Sequence, residues 1–377
     1  MKKTYTLALA GAGLLTLAMG GNALAFHGGG VAHCDGCHSM HNSADNPRAG
    51  SAMSNDLMKG SDASSTCLNC HNGNGGYHIA SSVGSNVSQG GDFFWAKTDY
   101  TYVVRGNTYT SEGDNHGHNI VAADFGFAAD ATNTTAPGGS MAANTLGCTS
   151  CHDPHGQVNG GTSAGTAAIS VSGSYGAADP TDGSIHGNFR LLGDAGYKQI
   201  NVAAPVATAD GSNGKFVNYG TGMSGWCLSC HGAFNDNANM HPTNVAVPAV
   251  YNQYVASGDF TGTVDTAFDS LVPFERGIDD GSLLAATSTV GVEDGNDVVM
   301  CLSCHRAHAS AFDNALRWDG YTSEYIAESA ILDGTGTNAA VMAAGAVPYY
   351  AGGVAVDVVA TYGEYQRSLC NKCHAKD

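Results

Sequence analysis

The sequence predicts a mostly irregular chain with a few short helices and one small hairpin. Covalently bound groups, not a side-chain core, would hold it together. Three observations lead there. Gly makes up 52 of 377 residues and only 13% of residues are charged. All 12 cysteines fall in six C-x-x-C pairs. Each pair is followed at once by a histidine.

A Gly-rich chain of low charge cannot readily bury enough apolar surface to offset its ordering entropy. Something other than side chains has to supply the core. C-x-x-C-H is the attachment signal of a c-type haem: the two cysteines form thioethers and the histidine takes one axial site of the iron. The covalent pairs are Cys34 and Cys37, Cys67 and Cys70, Cys148 and Cys151, Cys227 and Cys230, Cys301 and Cys304, and Cys370 and Cys373. The proximal iron ligands are His38, His71, His152, His231, His305 and His374. Disulfides or zinc sites would also use paired cysteines, but neither requires a His after every pair. The predicted fold class is therefore a multihaem cytochrome c with six haem c groups as staples. Rigid apolar bodies held covalently do for such a chain what disulfides and metals do for small scaffolds.

Local elements are sparse. Tyr100 to Val104, a turn at Gly106-Asn107, and Thr108 to Thr110 read as a hairpin. Residues 248–257 and 323–332 carry apolar residues at helical spacing. Each C-x-x-C-H should sit on a short helical turn. The Gly/Ser/Asn stretches 159–174 and 208–214 read as loops over haem edges, with disordered linker as the alternative.

The first 25 residues read as a cleaved signal peptide. Lys2 and Lys3 form a positive start, Leu7 to Met19 an apolar stretch, and Ala23-Leu24-Ala25 a cleavage site. The mature chain, 26–377, then forms a single hexahaem unit, since no spacer between motifs is long enough for an ordinary independent domain. No later stretch reaches the ~18 apolar residues of a spanning helix. No Cys lies near the cleavage site to carry a lipid. The expected protein is exported and not embedded in a membrane. Its formal charge of −18 argues against nucleic acid, which needs a basic face.

Ten histidines lie outside the motifs: His27, His33, His41, His78, His116, His118, His155, His186, His241 and His308. Ten suffice to give every iron a second imidazole, and no Met stands out as a substitute. The motifs alternate. The first, third and fifth read CHSMH, CHDPH and CHRAH, each with a second His at +3; the others lack it. This suggests three haem pairs, each opened by a C-x-x-C-H-x-x-H. Three residues span at most ~10 Å, and on a helical turn i and i+3 share a face. His41, His155 and His308 therefore cannot reach round the macrocycle to the far side of their own haem. Each ligates a different haem or none. His78 and His241 have longer tethers after the second and fourth motifs, and His118 lies between the second and third. His33, His116 and His186 are weaker candidates, solvated or hydrogen-bonded. Haem motifs near both ends of the mature chain suit a wire that continues into a neighbouring molecule.

Longer stretches carry a resemblance. FHGGGVAHCDGCHSMHN, YHI, GGDFFW, GHNIVAADF, TTAPGG, SCHDPHG, YGTGMSGWC, CLSCHRAHAS and LCNKCHAKD are similar to the extracellular hexahaem cytochromes that polymerise into conductive filaments in metal-reducing bacteria. The resemblance spans nearly the whole chain. It implies bis-His haems throughout, a loop-dominated fold and a continuous haem stack along a homopolymer. It also implies that His41 ligates the fifth haem of the adjacent subunit. The spare histidines that match the family are His27, His41, His78, His118, His155, His241 and His308, one more than six sites need. This chain departs from the family in its trimmed spacers and in His33, His116 and His186. The +3 argument meets the resemblance if His155 reaches back to haem one and His308 to haem three. By the same step His41 would reach a haem its own chain lacks.

Three functions follow. The first is an electron conduit, not an enzyme, fed by outer-membrane or periplasmic donor cytochromes and emptied by extracellular acceptors such as metal oxides. The second is a multihaem oxyanion reductase, which needs a five-coordinate haem under polar or cationic groups. The third is a monomeric electron shuttle.

Overall fold

The cysteine motifs nucleate the helices. The computed structural model describes residues 34–39, 57–73, 78–82, 90–104, 107–154, 192–193, 195–209, 217–235, 243–247, 273–279, 283–284, 296–317, 349–351 and 354–356. Among them are five short α-helices: α1 (Cys34–Cys37), α2 (Ala63–His71), α3 (Cys148–Cys151), α4 (Met223–Cys227) and α5 (Cys301–Cys304). Each carries at least one attachment cysteine, as the sequence leads one to expect. The leader and stretches 159–174, 248–257 and 323–332 lie outside the described residues, as do Cys370, Cys373 and His374.

Helices this short need outside help, because an isolated turn has a costly nucleus. For α2, Asp62 supplies it: its carboxylate accepts from Ser65 N at 2.7 Å and Ser65 Oγ at 2.8 Å. For α3 and α5 it is the serine before the second cysteine. Ser150 Oγ accepts from Gly147 N at 3.0 Å, and Ser303 Oγ from Met300 N at 3.1 Å. These two hydroxyls also donate, to Thr145 O and Pro273 O. The C-x-S-C spelling of both motifs is thus a capping device.

Strand is limited to three separate antiparallel two-stranded ribbons among the described residues. β1 (Tyr100–Val104) pairs with β2 (Asn107–Ser111), Tyr102 opposite Tyr109. This is the predicted hairpin, but Asn107 stands opposite Val104 and belongs to the strand, not the turn. β3 (Val206–Ala209) pairs with β4 (Val217–Thr221). Thr208 and Ala209, read as the start of a loop, are therefore strand. Ala207 has no exposed surface and packs with Tyr219, so burial overrode the weak local signal. β5 (Tyr349–Ala351) and β6 (Val354–Val356) form the third ribbon.

The described residues do bury side-chain cores, two small ones, each packed against attachment cysteines. One gathers Leu68, Phe93, Trp95, Ile120, Ala122 and Phe127, with Cys148 at its edge. The other gathers Tyr197, Ile200, Tyr219, Met223, Trp226 and Met300, with Cys151 and Cys227 beside it. No described helix is long and apolar enough to cross a membrane.

Candidate haem-binding sites

The cysteines come together in a pattern that the motif order does not suggest. Cys67 lies against Cys148, and Cys227 against Cys301. One serine three residues before motif two, and one three before motif four, tie the groups: Ser64 Oγ accepts from Cys148 N at 3.0 Å, and Ser224 Oγ from Cys301 N at 3.3 Å. Motif two thus groups with three, and four with five. Each group opens on the motif that lacks the +3 histidine, not on the one that has it. The nine cysteines whose side chains are described are all free of disulfides. No cluster of three or more His, Cys, Asp or Glu able to hold a metal ion occurs among the described residues.

The odd motifs share a second device. After each, a distant segment returns and forms a bridge at the motif histidine: His38 with Met58, His152 with Leu192, His305 with Leu316. The next residue donates to the carbonyl of the second cysteine, at 2.8 Å in every case: Lys59 to Cys37, Gly193 to Cys151, Arg317 to Cys304. Leu57 and Ala315, just before the bridging residue, have φ 57° and 54°. The alternation seen in the sequence is therefore a repeated local fold.

Two pairs of imidazoles face each other. His152 and His308 have ring centroids 6.2 Å apart, and His118 and His231 6.0 Å apart. Two imidazoles bound to one iron, with metal–nitrogen bonds of about 2 Å on opposite sides, have centroids about 6 Å apart. Both pairs fit that requirement. In the second pair the outward nitrogens agree; His308 Nδ1 of the first is buried without a hydrogen-bond partner. His231 Nδ1 donates to Pro137 O at 2.8 Å and His118 Nδ1 to Ala307 O at 2.7 Å, which leaves each Nε2 for a metal. His305 Nδ1 donates to Asn314 O at 2.8 Å in the same way. Desolvation pushes His118 below the ordinary value. It pushes His308 down to about 3, helped by the neighbouring His152 and His118. These rings are neutral at pH 7, the form that binds a metal.

Close backbone packing holds the pairs. His118 N donates to His308 O at 2.9 Å, and His308 N to Gly90 O at 2.8 Å. A Cβ at Gly117 would be driven into the His308 carbonyl, and one at Gly91, at φ +91°, into the Ala309 carbonyl. Phe93 stacks on His308 at 4.9 Å, and Phe234 lies parallel to His231 at 5.8 Å.

The other candidates fall differently. His78 lies beside Gly73, the return of its own motif, with Nδ1 buried and without a hydrogen-bond partner. His116 is fully buried, with Nδ1 on Trp95 O at 2.8 Å and Nε2 on Ser111 Oγ at 2.6 Å. Hydrogen bonding was expected of it, but it is not solvated. His27, His33, His41, His155, His186 and His241 lie outside the described residues. Sequence reasoning missed the supporting carbonyls of Pro137, Ala307 and Asn314. Backbone acceptors have no residue signature, although Pro137 lies in the quoted TTAPGG.

Attachment motifs on single helical turns, with neutral imidazoles facing across iron-sized gaps, define a c-type cytochrome. The chain is 38% identical to the C-type cytochrome OmcS of Geobacter sulfurreducens, over an alignment of 436 positions, gaps included, that covers all of both chains. It belongs to the OmcS family. Two solved structures resemble it. One is the outer membrane cytochrome S filament of that organism, with TM-score 0.67 and 37% identity. The other, a cryo-EM structure of OmcS nanowires, has TM-score 0.69 and 38% identity. Each match covers 93% of this chain and 100% of the solved chain. No protein-family model matches the chain.

Proposed function

We propose that this chain is an extracellular electron conduit, with six haem c groups, two imidazoles on every iron, and molecules joined end to end in a filament. The observation that carries the reading is the two pairs of facing imidazoles. His308 would complete the iron of motif three with His152, and His118 that of motif four with His231. Support for polymerisation comes from the OmcS relatives, whose solved structures are filaments and nanowires. Haem bound at these motifs supplies a one-electron Fe(III)/Fe(II) couple.

The residues of the chain hold and tune that couple. The cysteines fix each group to a helical turn. The thiol contacts put the attachment points of motifs two and three, and of four and five, side by side. The carbonyls on the Nδ1 atoms orient the imidazoles and increase their donor strength. Irons with two imidazoles leave no open site for a substrate, so the protein is a conduit and not an enzyme. His41 is assigned to the fifth haem of the neighbouring molecule, and His78, His155 and His241 to distal sites, with His27 in reserve. The leader over 1–25 directs export. The electron donors are outer-membrane or periplasmic cytochromes and the acceptors are extracellular oxidants such as metal oxides.

Electron paramagnetic resonance of the oxidised protein and carbon monoxide titration of the reduced protein test this. All six haems should be low-spin, with no carbon monoxide bound. A native high-spin haem that binds carbon monoxide would favour the reductase.

A further inference from the structure

We propose that Ser111 and Asp313 are positioning residues for the His305 imidazole, and that they hold down the redox potential of the haem it ligates. The proposal rests on His305 being an axial ligand, as above. The His305 ring is aimed by one backbone carbonyl, that of Asn314, at 2.8 Å from Nδ1. That carbonyl sits in the turn Asp313–Ala315, in which Asn314 and Ala315 have φ 58° and 54°. Two consecutive residues with side chains in the left-handed region are unfavourable and persist only where their surroundings impose them.

The restraint comes from two sides. On one, Arg306 N donates to Ala315 O at 2.7 Å and Arg317 N to Cys304 O at 2.8 Å, which ties the turn to its own motif. On the other, the tie crosses 202 residues: Ser111 Oγ shares its single proton between Asp313 Oδ1 at 2.7 Å and His116 Nε2 at 2.6 Å. Ser111 ends strand β2 and is itself anchored through His116 to the carbonyl of Trp95. Ser111, His116 and Trp95 are buried, at 4%, 0% and 2% exposure. A rigid post from the first core therefore holds the turn that carries the Asn314 carbonyl. A short Nδ1–H···O=C bond makes the imidazole a stronger donor, favours ferric iron and lowers the potential. Release of the turn should do the reverse.

The test is Ser111→Ala and Asp313→Ala in the full-length holoprotein, with Asn314→Gly as control. Haems are counted by mass spectrometry, potentials are read by spectroelectrochemistry, and the ferric signals by electron paramagnetic resonance. Both variants should keep six low-spin haems. One potential of the six should rise and one ferric signal should move. Asn314→Gly should match the wild type, because the acceptor is backbone and glycine suits the left-handed turn. Six unchanged potentials in both variants overturn the proposal. So does loss of a haem from both, which would make the pair structural. A His305→Ala variant that keeps six haems, six low-spin ferric signals and six unchanged potentials would instead sink the ligand assignment, and this proposal with it.

Discussion

At His308 the ring is stacked on Phe93, its backbone N–H is on Gly90 O, and its own carbonyl takes the His118 N–H. The +3 spacing said only that this ring could not serve its own haem. The His308 ring lies 6.2 Å from that of His152, the approach on which the proposed pairing with motif three rests. His118 was legible as a histidine between motifs, but its meeting with His231 was not. Those two are brought together by packing across segments far apart in sequence, and no local pattern encodes that. His308→Ala should leave six haems attached, since the thioethers do not depend on it. One haem should become high-spin, and the reduced protein should bind one equivalent of carbon monoxide. An unchanged low-spin spectrum would remove His308 from the ligand set.

Among the elements, the helical turns and the hairpin were legible because their signals are local: fixed cysteine spacing, a Gly beside alternating apolar residues. The grouping of motif two with three and four with five was not, because it depends on Ser64 and Ser224, hydroxyls that look like any surface serine in the sequence. Helix α4 shows another hidden partner. Glu275, 4% exposed, accepts from Met223 N at 2.6 Å and Ser224 N at 3.2 Å. Burial raises its carboxyl above the ordinary 4.5, although the backbone donors oppose the shift. The folded form therefore holds its proton to higher pH than the unfolded form. Its contribution is fully present below pH 4.5 and is lost as pH rises through the raised folded value. Glu275→Gln keeps an acceptor without the charge. Its denaturation midpoint, measured against pH, should gain on the wild type across that window. Parallel curves would contradict this. Gly117→Ala is expected to cost more than the ~1–3 kcal/mol of a typical overpacked site, because backbone would have to move. It should also weaken the His118–His308 brace, read as a fall in denaturation midpoint with a new high-spin fraction.

On the scale of the whole molecule, Gly-rich composition suggested that haems replace the side-chain core. The two cores around Trp95 and Trp226 qualify that: side chains pack between the attachment sites and set the posts on which the imidazoles rest. The grouping of motifs also extends naturally. If two goes with three and four with five, six goes with the first motif of the next molecule, and His41 crosses the same junction. His41→Ala should then keep six haems and lose filaments, as seen by electron microscopy and light scattering. The most direct measurement is a cryo-EM map of the secreted holoprotein. The account predicts filaments with a continuous chain of haems, His308 on the motif-three iron, His118 on the motif-four iron, and His41 on the fifth haem of the neighbouring molecule. Discrete single molecules carrying six haems, with His41 in solvent, would contradict it.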